Sequence, residues 1–151
     1  MVLADVGVRA AAVDIGNWDH HANENAILPG RLDELAKGLA AFRAHLGEAF
    51  GRVTVVVMSE FGRRAAQNGS GGTDHGAGNV VLVLGGGVKG GRIIADWPGL
   101  AERELDRGDL RVTIDYRQVL EEVILARFPG VDPAPVVQDL RTRRAGGLGL
   151  F

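Results

Sequence analysis

The side chains of this chain that could do chemistry are carboxylates and imidazoles in three separate turn-rich stretches. They are Trp18-Asp19-His20-His21, Ser59-Glu60-Phe61-Gly62 and Gly71-Gly72-Thr73-Asp74-His75-Gly76. Carboxylate oxygens and neutral imidazole nitrogens are donors to divalent cations, and an Asp-x-His loop supplies both kinds. Three such stretches, each after or beside an apolar run, point to a metal site at one edge of an α/β sheet, with the hydrolytic chemistry a cation supports. Each stretch also has a plainer reading. Asp14 and Asp19 equally suit Asx turns with solvated histidines beside them. Glu60 directly follows a β-branched run, so it needs either a ligand or a cationic partner such as Arg63 or Arg64. Asp74 and His75 lie among glycines that would not crowd a bound oxyanion, or they form a hairpin loop with an exposed histidine.

The elements that must position these loops follow from periodicity. Residues 8–15 (VRAAAVDI) read as a short buried strand ended by turn chemistry at Gly16-Asn17. Residues 31–50 read as a helix, with Leu32, Leu35, Leu39, Phe42 and Leu46 on one stripe and Gly51 closing it. Residues 53–58 (VTVVVM) and 79–84 (NVVLVL) read as strands buried on both faces. Arg92-Ile93-Ile94 reads as a short edge strand. Asp115 with Gln118 three residues on reads as a capping box, opening a helix to about Phe128 that buries Val119, Leu120, Val123, Ile124 and Leu125. Pro129-Gly130 stops it. The order strand–helix–strand–strand–helix predicts a single α/β domain over residues 1–151, with a mostly parallel sheet and flanking helices.

Composition narrows the function classes. A chain of 151 residues, 46% hydrophobic and 24% charged, fits one soluble domain. A net charge of -2 gives no footprint for nucleic acid. The absence of cysteine excludes disulfides and thiolate ligands. No run reaches the ~18–20 apolar residues of a membrane span, and the N-terminus lacks the pattern of a signal peptide. A cytoplasmic location is expected of the chain as written. Gly85-Gly86-Gly87-Val88-Lys89-Gly90-Gly91 is not a phosphate loop, because no Ser or Thr follows the lysine and no helix opens after it. His45 and the arginines of the tail read as surface residues.

Four ordered blocks carry a further likeness: DIGNWDHHANE (14–24), VVVMSEFGR (55–63), NGSGGTDHGAGN (68–79) and LGGGVKGG (84–91). Together with TIDYRQVL (113–120) they resemble the bacterial family catalogued as domain of unknown function 1501, regarded as sulfatase-like within the alkaline phosphatase superfamily. The resemblance implies an alkaline-phosphatase-like fold, of which this chain matches the C-terminal part. It also implies two metals, usually zinc, held by Asp and His on loops at one sheet edge. A Ser or Thr nucleophile would attack phosphorus or sulfur. By position, Asp19 and His21 resemble the first metal-binding pair, His75 a late metal-binding histidine, and Asp14 an acidic residue at a strand end. Of the adjacent His20 and His21, the match favours His21 as the one facing inward. Glu60-Phe61 stands where the family pattern has Asp-His, so one nitrogen ligand is missing, a gap Asp74 is placed to fill. Full-length relatives are longer and often exported, and their N-terminal part would bring the nucleophile.

The resulting expectation is a metal-dependent phosphate or sulfate monoester hydrolase-like domain, incomplete without that N-terminal region. Asp19, His21, Glu60, Asp74 and His75 would hold a divalent cation, zinc first and manganese or calcium as alternatives, with Asp14 supporting them. The partners expected are a small phosphate or sulfate ester and, through uncovered sheet edges, a second copy of the chain. Neither nucleic acid nor membrane is expected. The alternative is a non-catalytic binding or assembly domain that keeps the fold.

Overall fold

The computed structural model describes residues 3–4, 6–140 and 143–151. In chain order they form helix α1 (Glu24–Leu46), a 3-10 turn (Gly47–Arg52), strands β1 (Thr54–Val57), β2 (Gly62–Gln67), β3 (Thr73–Gly76) and β4 (Leu82–Gly85), a short 3-10 turn (Glu102–Glu104) and helix α2 (Tyr116–Arg127). The chain divides into two compact units. One comprises Met1–Val53 and Ala66–Asp74, the other Thr54–Ala65 and His75–Phe151.

The sheet corrects the expected architecture. Among the described residues there is no mostly parallel sheet and no alkaline-phosphatase-like arrangement, but two separate two-stranded antiparallel sheets, β1 with β4 and β2 with β3. β1 and β4 pair in the register Thr54↔Gly85 to Val57↔Leu82. A parallel pair needs a crossover of a dozen or more residues, usually a helix. The link between β1 and β4 is instead spent on the β2–β3 pair, so β4 returns antiparallel. Residues 8–15 form no strand either. They are exposed, Val13 at 83%. Their central Ala10-Ala11-Ala12 has low strand propensity and little to bury. Arg92-Ile93-Ile94 is likewise not a strand. With only two strands per sheet, β1 is half-buried rather than covered on both faces.

In the first unit, α1 begins seven residues before its expected start and passes through Pro29. Its early N–H groups find backbone acceptors in the loop before β3: Asn23 N donates to Ser70 O (3.2 Å) and Glu24 N to Gly71 O (2.9 Å). These bonds satisfy donors that a helix N-terminus leaves open. At the other end Gly47, not Gly51, closes the helix. Its φ of 51° lies in the region that favours glycine, and its N–H donates to Arg43 O.

The core of the second unit is Val119 from α2 with Leu148 and Leu150 from the C-terminal segment. Val81, Val83, Ile94, Ile114 and Phe151 pack around it. Asp115 caps α2 as its sequence predicts, accepting from Arg117 N at 3.0 Å. Its carboxylate also takes the Arg117 guanidinium at 2.6 and 2.9 Å, a hydrogen bond that raises the arginine above its ordinary pKa. The capping box itself does not form. Gln118 turns to the tail instead, exchanging two 3.0 Å bonds with the Arg144 backbone. Val119 is buried, whereas Leu120, Val123 and Ile124 are only partly covered and Leu125 is exposed.

Candidate metal centre

The site is built where residues 20–22 run antiparallel to residues 71–73. Ala22 bridges Gly71, and Thr73 N donates to His20 O at 3.2 Å. Both contacts belong to one register, which places His21 opposite Gly72 and His20 opposite Thr73; a tight turn, His20 N donating to Trp18 O at 3.1 Å, precedes it at Asp19. Side chains alternate across an extended strand, so His21 takes one face and His20 and Thr73 the other, and Asp19 and Asp74 meet His21 on its face. Gly72 is what permits the approach. A Cβ there would lie 2.3 Å from His21 C and 2.5 Å from Ala22 N.

On the first face His21 stands between two carboxylates. Its Nε2 lies 3.0 Å from Asp19 Oδ1, and its Nδ1 lies 3.1 Å from Asp74 Oδ1. All three side chains are about half exposed, at 48% for His21, 50% for Asp19 and 56% for Asp74. A neutral imidazole has one donor and one acceptor nitrogen. It can therefore donate to only one of these carboxylates; the other contact needs a second proton or a cation.

Asn68, a residue the sequence had not singled out, organises this arrangement. Its Oδ1 accepts from Ser70 N (2.9 Å) and Gly72 N (3.1 Å), fixing the glycine loop. Its Nδ2 donates to His21 O and Asp74 Oδ1, both at 3.0 Å. A single amide thus ties the loop to the strand it faces and aims the Asp74 carboxylate. The signal available in sequence was Asn68-Gly69-Ser70-Gly71, an Asx-turn composition.

On the opposite face the Thr73 hydroxyl donates to Glu24 Oε2 at 2.8 Å. His20 is 7% exposed, and neither of its ring nitrogens has a hydrogen-bond partner. The expectation that His21 faces inward is thereby reversed: His20 is the buried imidazole.

The remaining candidates are described each within its own unit. Asp14 is exposed in the extended segment of the first unit. Glu60 belongs to the second unit and is exposed, so the burial cost that called for a ligand or buried ion pair does not arise. Arg64 binds Arg107 O and pairs with Asp109, and Arg63 lies over the Phe61 ring. His75 also belongs to the second unit, where its ring stacks on Phe61 with centroids 4.4 Å apart. Ser59 Oγ donates to Phe61 O and accepts from Asn79, and so serves the turn before β2.

Residues 1–139 match the family described as "Protein of unknown function (DUF1501)". The chain belongs to that family. No curated protein and no solved structure matches it. Membership in DUF1501 agrees with the sequence blocks quoted above, and the description assigns the family no activity. Kinship with sulfatases and alkaline phosphatases does not follow from it. Among the described residues no helix is long and apolar enough to cross a membrane.

Proposed function

We propose that this DUF1501 chain binds a divalent cation through Asp19 and His21, and that it serves as a metal-dependent phosphate or sulfate monoester hydrolase-like domain. The observation that carries the reading is the His21 ring held between two carboxylates. With Nδ1–H donated to Asp74, the Nε2 lone pair faces Asp19, the usual way a ligating histidine is oriented from behind. Two donors 3.0 Å apart fit one cation at roughly 2.1 Å from each, near a right angle. Zinc is the first candidate, with manganese and calcium as alternatives. Asp74 fixes the imidazole tautomer, and Asn68 fixes Asp74. The cation, when bound, polarises the ester oxygen and offsets the charge developing there. Glu60 and His75 enter this proposal as sequence candidates alone.

A second reading, a non-catalytic binding domain, draws on the hydroxyls. Ser59 and Thr73, hydroxyls of the candidate stretches, both donate to other protein groups. The test is cation binding by calorimetry, with metal content of the purified protein and hydrolysis of phosphate and sulfate monoesters. Asp19→Asn and His21→Ala are expected to abolish binding. Asp74→Asn should weaken it by ~10–100-fold, as loss of a group that orients a ligand does. Wild-type affinity in His21→Ala sinks the proposal, and unchanged affinity in His75→Ala removes that residue from it. Bound cation without turnover of either ester selects the non-catalytic reading.

A further inference from the structure

The second unit contains a basic cavity that the metal proposal does not use. Residues 92–95 and 146–149 line it together with Arg144, around a volume of about 340 Å³. That is within the range of small-molecule sites, which start at ~300 Å³.

Its two arginines are held differently. Arg92 donates from Nε to Lys89 O at 2.9 Å, and from Nη2 to Gly149 O and, at 3.5 Å, to Leu148 O. All three acceptors are neutral carbonyls. They fix the guanidinium in place without neutralising it. Arg144 Nη1 is buried without a hydrogen bond, and the carboxylate paired with it is Asp96, half exposed, with Oδ1 at 3.3 Å. The nearby Glu122 carboxylate is already engaged, accepting from the N–H groups of Leu148, Gly149 and Leu150. Two guanidinium groups therefore line the cavity, one held by carbonyls alone and the other by a single, loosely paired carboxylate.

We infer that this cavity binds a tetrahedral oxyanion, a phosphate or sulfate group, between Arg92 and Arg144. Guanidinium forks match such oxygens, and their charge-assisted bonds are about twice as strong as neutral ones. Asp96 is the competitor: its carboxylate pairs with the Arg144 Nη1 that the anion would take, and the anion displaces it.

The experiment titrates the whole chain with inorganic phosphate and with sulfate, by calorimetry at constant chloride. A chelator is present so that no cation at Asp19 and His21 contributes. Arg92→Gln and Arg144→Gln are each expected to weaken binding by roughly tenfold or more, the scale of one lost charged hydrogen bond. Asp96→Asn is expected to tighten it severalfold, while Glu102→Gln, an exposed carboxylate outside the cavity, leaves it unchanged. The Asp96 variant keeps the idea falsifiable even if an arginine variant fails to fold. No saturable binding in the wild type overturns the inference, as does an Asp96→Asn affinity equal to or below the wild-type value. An equal gain in Glu102→Gln also overturns it, by reducing the effect to net charge.

Discussion

Asp74 Oδ1 receives two groups, the His21 ring and the Asn68 amide, and this sets its rank in the cluster. In the proposed site this oxygen orients the imidazole, and Asp19, across the same ring, is the proposed ligand carboxylate. His20 poses the opposite problem. A buried polar ring without partners carries its desolvation cost uncompensated, of order 1–3 kcal/mol. Replacing it with an apolar residue of similar size removes that cost. His20→Leu is therefore expected to be neutral or stabilising in urea unfolding, with cation affinity retained. A loss of more than ~1 kcal/mol would show that the imidazole is hydrogen-bonded after all, for instance through a buried water. The donor types at Asp19, His21 and Asp74 were legible in the sequence. The burial order of His20 and His21 was not, because neighbouring residues of one strand differ only in the face they take.

At the scale of elements, the candidate site depends on two short backbone segments meeting closely. Gly72 is the position that decides this, since its Cβ would fall inside the backbone of residues 20–22. Gly72→Ala is expected to force the segments apart, costing ~1–3 kcal/mol as overpacking does, and to lower cation affinity with it. Gly69→Ala, where a Cβ meets nothing within 4 Å, serves as the control and should leave both unchanged. Equal behaviour of the two variants in calorimetry would show that the close approach is not needed. Local chemistry predicted some elements well. Asp115 caps α2, and the apolar runs at 54–57 and 82–85 are strands. Helix α1 was misjudged at both ends. Its start is fixed by Ser70 and Gly71 carbonyls from 46 or more residues downstream, which no local pattern reveals.

At the scale of the whole chain, residues remote in sequence complete the core of the second unit. Leu148 and Leu150 pack with Val119, and the Glu122 carboxylate grips the backbone between them. The C-terminal segment is thus structural, although its Gly-rich composition reads as a solvated tail. Leu148→Ala is expected to destabilise this unit by ~2–5 kcal/mol, the usual cost of emptying a buried leucine site. Urea unfolding read by circular dichroism checks it, and a change below ~0.5 kcal/mol would return the segment to the status of a tail.

The sequence by itself determined the family and some local signals: the donor types in the candidate stretches, the strands at 54–57 and 82–85, and where α2 begins. Those properties reside in side-chain type and near-neighbour spacing. Only the tertiary structure decided strand direction, the role of Asn68 and the inward turn of His20. Each of these depends on which distant backbone supplies the missing hydrogen-bond partner, and that choice is made between segments rather than within them.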